Sequence, residues 1–107
     1  MTHEWKLRVY FEDTDAGGVV YYANYLKFIE RARTEMLREF GVPHADMMKD
    51  AGAQFVVRRC AIDYVKPARL EDELTVRTAL LECGAASLTL KQDVVRNGMD
   101  LAKAEVV

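Results

Sequence analysis

The sequence predicts an α+β fold in which a curved, antiparallel, five-stranded sheet wraps one long helix, in the order β-α-β-β-β-β. Three observations carry this expectation. One stretch, from about residue 22 or 24 to residue 40, repeats apolar residues at helical spacing. The other apolar runs alternate with period two and are separated by turn signals rather than further helices, so neighbouring strands pair antiparallel. Asn97-Gly98 is a strong two-residue hairpin signal between the last two runs.

The first strand is expected over about residues 5 to 11, where Trp5, Leu7, Val9 and Phe11 alternate with Lys6, Arg8 and Tyr10. In the helix, Tyr25, Phe28, Ile29, Ala32, Met36 and Phe40 form one broad apolar stripe, and Lys27, Glu30, Arg31, Thr34, Glu35 and Arg38 fall mostly on the other side. Asn24 is the expected N-cap, and Gly41 followed by Pro43 is the expected stop. Residues 42 to 53 read as a connection with a short helical turn around Ala45 to Lys49. A strand from Gln54 to Val65 is interrupted by Arg58 and Arg59, which predicts a bulge or bend there, and Lys66-Pro67 ends it. Leu74 to Leu81 forms a third strand, Cys83 to Ala86 a turn, and Leu88 to Val94 a fourth strand. The fifth starts near Met99 and is still running at Val107, so the last strand is expected to be cut short there. The exposed strand edge needs cover, which predicts a homodimer by edge or face pairing.

The 107 residues make one domain, residues 1–107, of a size that often gains stability from association. A net charge of -2 and a pI near 5.7 argue against nucleic acid as a main partner. No apolar run approaches the roughly 20 residues of a membrane span, so stable membrane insertion is not expected. The first residues lack the apolar core of a signal peptide, and Cys60 and Cys83 read as free thiols without C-x-x-C spacing; both point to the cytoplasm.

Between the first strand and the helix lies Glu12-Asp13-Thr14-Asp15-Ala16-Gly17-Gly18-Val19, a turn with three carboxylates and two glycines. The acidic residues can simply favour the helix N-terminus, worth about 0.3 to 1 kcal/mol each. Alternatively, the helix N–H groups serve a substrate oxygen, and one Asp works on the carbon beside it. A calcium loop begins similarly, but it fails at its fifth position, Gly17, and at its twelfth, Asn24.

The residue inventory narrows the chemistry. Ser87 is the only serine and has no G-x-S-x-G elbow. His3, near a frayed N-terminus, and His44, in a loop, make no metal cluster. A Cys60-His44 nucleophilic pair competes with the reading of a strand Cys as a small buried hydrophobe. Gly17 and Gly18 lack both the P-loop lysine and the dinucleotide fingerprint. Carboxylate chemistry remains. An Asp is ionised at pH 7 without help, but it is a weak base, so its acyl target must be reactive. A thioester fits, provided backbone N–H groups hold the developing oxyanion. Asp15 and Asp13 are the competing carboxylates, and the alternative role for Asp13 is to bond N–H groups of the turn itself.

Val9 through Tyr25, continuing through Glu30-Arg31-Ala32-Arg33-Thr34-Glu35-Met36-Leu37, resembles the signature of hotdog-fold acyl-CoA thioesterases of the 4-hydroxybenzoyl-CoA thioesterase class, in particular the Tol-Pal-associated, YbgC-like branch. The similarity extends through Phe55 to Arg58, Pro67 to Leu70 and Ala104 to Val106. The resemblance implies a hotdog fold, dimers that often pair into tetramers, and an active site at the subunit interface. It marks Asp15 as the catalytic carboxylate and the Tyr22 N–H as the group that polarises the thioester carbonyl, with Gly18 and Val19 beside the substrate. Arg58, Arg59, Lys66 and Arg69 are candidates to meet coenzyme A phosphates, against a plain solvated-surface reading. No cofactor is required, because coenzyme A arrives as part of the acyl-CoA substrate; an acyl carrier protein is the alternative acyl donor. Close relatives commonly carry His where this chain has Tyr22, and they continue past Val107. Two rival readings are a hotdog hydratase, which would need a His in the turn or helix, and a non-catalytic module that binds acyl-CoA or acyl carrier protein in the cell-envelope machinery.

Overall fold

The computed structural model describes residues 2–39, 57–83 and 88–107. Strand β1 spans Thr2–Arg8, helix α1 Asn24–Glu39, and strands β2 to β5 span Cys60–Tyr64, Glu73–Cys83, Leu88–Arg96 and Met99–Val106. All pairings are antiparallel and the strand order is β1-β3-β4-β5-β2, so β1 and β2 are the edges. The expected β-α-β-β-β-β order holds. The connection with His44 and the short helical turn, the Gly41-Pro43 stop, Phe40, residues 54 to 56 and the turn at Gly84 to Ala86 lie outside the described residues.

Register places one row of side chains beside the next on the face toward the helix. Trp5 pairs with Val76, Val76 with Val94, Val94 with Ala102, and Ala102 with Tyr64. Tyr25, Phe28, Ile29 and Ala32 of α1 are buried, as the apolar stripe requires, and they form one core with Val76, Val94, Ala102 and Ala104. The helix packs on β1, β3 and β4. It is therefore offset from β2, whose Tyr64 remains about half exposed at 48%.

The hairpin at Asn97-Gly98 is as expected: φ is 51° at Asn97 and 78° at Gly98, the left-handed pair that a type I′ turn needs. Arg58 and Arg59 both donate their N–H to the Val107 carbonyl, at 2.8 and 3.4 Å, while Val107 donates to the Arg59 carbonyl at 2.9 Å. Two residues oppose one, which is the bulge read from the arginine pair, and regular pairing of β2 begins only at Cys60.

Several expectations are corrected: within the described residues the second strand is Cys60–Tyr64, shorter than expected, and Cys83 ends β3 rather than opening a turn. β1 ends at Arg8 rather than continuing to Phe11, which is 80% exposed instead of facing the core. The reason is local: Asp13 takes the Tyr10 N–H and folds Phe11–Asp13 into a 3-10 turn. His3 is not frayed; it is buried in β1, with Nε2 2.6 Å from Glu39 Oε2 at the far end of α1. Cys60 is an exposed free thiol rather than a buried hydrophobe; among the described residues α1 packs mainly on β1, β3 and β4, away from this end of β2.

A buried polar bridge fixes the helix on the sheet. Gln92 is fully buried at the centre of β4, and its Nε2 donates to the Ile29 carbonyl of α1 at 3.1 Å and to Thr78 Oγ1 at 3.0 Å. Its Oε1 accepts from Arg33 at 3.0 Å. Desolvation by burial holds the Arg33 guanidinium below its usual range, so the accepting oxygen matters to it. Gln92→Leu conserves much of the volume but leaves Arg33 and Thr78 without this partner; we expect a loss of about 2–4 kcal/mol in urea unfolding, since a buried unsatisfied group costs about 1–3 kcal/mol.

Candidate active site

The acidic turn folds on itself before it reaches the helix. Tyr10 N–H donates to Asp13 Oδ2 at 2.9 Å, and Asp13 N–H donates to the Tyr10 carbonyl at 3.0 Å. The Asp13 carboxylate is thus engaged by the turn itself. Asp15 N–H donates to the Val19 carbonyl at 2.9 Å, and Gly18 N–H returns to the Asp15 carbonyl at 3.0 Å. Gly18 has φ of +77°, which glycine adopts without strain. Gly17 N–H donates to Asp15 Oδ1 at 2.8 Å, and a Cβ on Gly17 would lie 3.2 Å from that same oxygen. A side chain there would press on the carboxylate. Asp15 is exposed, and its Oδ2 has no protein hydrogen bond among the described residues.

The turn is closed by one carbonyl and backed by one loop. The Asp13 carbonyl accepts from Tyr21 N–H at 3.0 Å and from Asn24 Nδ2 at 2.8 Å. Asn24 is therefore the first residue of α1 and points its amide back to the turn, in place of the N-cap role expected for it. Behind the turn, Val20 N–H donates to the Ala68 carbonyl at 2.8 Å, Val19 bridges Arg69, and the Tyr25 hydroxyl accepts the Ala68 N–H at 3.1 Å.

At the entry to α1, Asn24, Tyr25 and Leu26 donate their N–H groups to the carbonyls of Tyr21, Tyr22 and Ala23. Among the described residues the Tyr22 and Ala23 N–H groups have no acceptor. Next to them an open groove of about 260 Å³ is lined by Val20, Tyr22, Tyr25, Tyr64, Lys66 and Pro67. Asp15, Gly18, Val19 and Tyr22 thus fall in one continuous turn. Lys66 reaches the groove rim, with Nζ 3.3 Å from Met99 Sδ. Arg58 and Arg59 precede β2 at the end opposite Tyr64, about 17 to 20 Å away at about 3.3 Å per residue. Within one chain they are not brought to the turn.

Two parts of this site escaped the sequence reading. Tyr64 stands over Tyr22 and Tyr25, with ring centroids 6.0 and 5.5 Å away. Asp72 anchors the backing loop: its Oδ2 accepts from Arg69 N–H at 2.8 Å and from the Arg96 guanidinium at 2.6 Å. Aromatic and charged residues flanking a Lys-Pro turn were the only signals present, and their partners are distant in sequence.

A long helix cupped by an antiparallel five-stranded sheet, with a glycine-bearing acidic turn feeding the helix, defines a hotdog-fold protein. The chain belongs to the thioesterase superfamily, whose family model matches residues 17–103. An acyl-CoA thioesterase YbgC of Haemophilus influenzae is 47% identical over 100 residues, covering 94% of this chain and 74% of that protein. An acyl-CoA thioester hydrolase YbgC of Escherichia coli is 48% identical over 91 residues, covering 85% of this chain and 67% of that protein. The crystal structure of a probable thioesterase from Bartonella henselae superposes with a TM-score of 0.94 at 35% identity, covering 99% of this chain and 88% of that one.

The Asp72 anchor makes the site acid-sensitive. Burial by itself would raise the Asp72 carboxyl, but the Arg69 N–H, the Arg96 hydrogen bond and the two arginine charges together hold it below the usual carboxylate value. A carboxyl depressed in the folded state contributes stability above its unfolded pKa, near 3.9, and that contribution is lost as pH falls through the folded value. Asp72→Asn should therefore lower the melting temperature at pH 7, and its difference from wild type should shrink steadily below about pH 4. Thermal melts from pH 7 to pH 2.5 check this; a constant gap would contradict it.

Proposed function

We propose that this chain hydrolyses acyl-CoA thioesters to a free acid and coenzyme A, with Asp15 as nucleophile or general base and the Tyr22 N–H as oxyanion donor. The observation that carries the reading is the presence, in one closed turn, of two groups without a hydrogen-bond partner among the described residues: the outer oxygen of Asp15 and the N–H of Tyr22. Their chemistry is complementary. A carboxylate oxygen can attack the thioester carbonyl, expelling the thiolate and leaving an acyl-aspartyl anhydride for water to open, or it can take a proton from the water that attacks. In either case the carbonyl oxygen becomes anionic, and a helix-terminal N–H stabilises it. The substrate class is supported by the acyl-CoA activity named for the YbgC relatives.

The proposed assembly is a cytoplasmic homodimer or homotetramer. Among the described residues β2 has no strand on its outer edge, and an edge strand seeks a partner. If two β2 edges pair antiparallel, Arg58 and Arg59 of a second copy return toward the Tyr22 end of this one, where they would meet the phosphates of coenzyme A. An acyl group on a carrier protein is the alternative substrate, because the reacting thioester is the same.

Free thiol release from short, long and aromatic acyl-CoAs tests the reading. Wild type should turn over at least one of them, and Asp15→Asn should lose about 10²- to 10⁴-fold in kcat while remaining folded. Asp13→Asn should stay within about threefold of wild type, because its amide oxygen still accepts the Tyr10 N–H. Tyr22→Phe should also remain active, because the backbone supplies the donor. Folded wild type and Asp15→Asn that are equally inert would favour a carrier-binding module over an enzyme.

A further inference from the structure

We infer that Tyr64 is a positioning residue for the oxyanion donors at the entry to α1; the inference rests on the thioesterase reading. The Tyr64 hydroxyl donates to the Tyr22 carbonyl at 3.3 Å. That carbonyl and the Ala23 N–H belong to one planar peptide group, so a bond to the oxygen fixes the direction of the N–H. The same carbonyl takes a long hydrogen bond, 3.3 Å, from the Tyr25 N–H. Two moderate bonds hold the peptide where one would leave it free to rock. Accepting a second hydrogen bond also polarises a peptide, which makes its N–H a stronger donor. Ala23 N–H, unused beside the equally unused Tyr22 N–H, thereby becomes a second donor for the oxyanion.

Tyr64 is well held for this task. Its backbone pairs with Ala102 of β5, and the next two residues, Val65 and Lys66, donate to the Leu101 carbonyl at 2.8 and 3.1 Å. Its ring meets Tyr22 and Tyr25 in edge-to-face contacts, a geometry that aromatic pairs prefer. The phenol thus links the sheet to the first turn of the helix. Desolvation foremost, together with the nearby Cys60 thiol and the Tyr22 and Tyr25 phenols, pushes it above the usual tyrosine range, so it keeps its proton and remains a donor at neutral pH.

Tyr64→Phe removes only the hydroxyl from a ring that is half exposed, and the ring contacts remain. The expected result is a fall in kcat of about 3- to 10-fold, the size of one neutral hydrogen bond, with KM within about twofold and a melting temperature lowered by no more than about a few degrees, so that the protein stays fully folded under assay conditions. In ¹H–¹⁵N spectra of the resting protein, the Ala23 amide resonance should move, with smaller changes at Tyr22. Tyr64→Leu, which also loses the ring contacts, should lower both kcat and the melting temperature. Wild-type kcat together with an unmoved Ala23 resonance in Tyr64→Phe would overturn the inference, as would a kcat loss matched by a loss of folded protein. Failure of the parent reading looks different: wild type itself releases no thiol from any acyl-CoA.

Discussion

The carbonyl oxygen of Asp13 is the point on which the rest of the site depends. By accepting both Tyr21 N–H and the Asn24 side chain, it closes the chain from the acidic turn back onto the first residue of α1. Without that closure, a turn of short polar residues would sample many conformations, and the entropy of ordering it would fall on the substrate. With it, the carboxylate of Asp15 and the N–H groups of Tyr22 and Ala23 keep a set relation before any ligand arrives. Under the proposed mechanism, donors held in this way need no rearrangement as charge develops.

The closure would still swing as a unit if nothing stood behind it. The segment from Val65 to Asp72 supplies that backing. It binds the turn through Val20 and Val19, binds the helix through the Tyr25 hydroxyl, and is itself pinned by Asp72 to Arg96 of β4. Glu71 lies at φ of 74°, a left-handed conformation uncommon for a residue with a side chain. Its neighbours hold it there: its N–H donates to the Val9 carbonyl at 3.0 Å, and its carbonyl accepts from Arg8 at 2.9 Å. These two bonds offset the cost of the left-handed conformation and hold the loop in the shape that backs the turn.

The position of the helix on the sheet decides which surface remains for ligands and partners. Gln92 fixes α1 over the β1, β3 and β4 side, and β2 is left, among the described residues, with an unpaired edge and mostly exposed side chains. The same offset explains three features together: the groove beside Tyr22, the half-exposed Tyr64 above it, and the exposed thiol of Cys60. A polar residue at the centre of the sheet costs little when all its hydrogen-bonding atoms are used, and here it selects one placement of the helix among several that apolar contacts alone would allow.

The sequence by itself determined the order of the elements and the acidic, glycine-bearing character of the turn. The apolar stripe of α1, the period-two strands, the Asn97-Gly98 hairpin and the cluster of Asp13, Asp15, Gly17 and Gly18 all depend on neighbours within a few residues, and local spacing records such dependence. The end of β1 was misread for a related reason: Phe11 continues the alternation, and the hydrogen bond from Tyr10 N–H to Asp13 that breaks it competes at the same short range. Only the tertiary structure decided what distant residues do to one another. Nothing near Tyr64 in sequence says that its hydroxyl meets Tyr22, nothing near Asp72 says that it meets Arg96, and the burial of His3 follows from the far end of the helix. These contacts join residues 24 to 42 positions apart, and their geometry exists only once the helix has settled on the sheet.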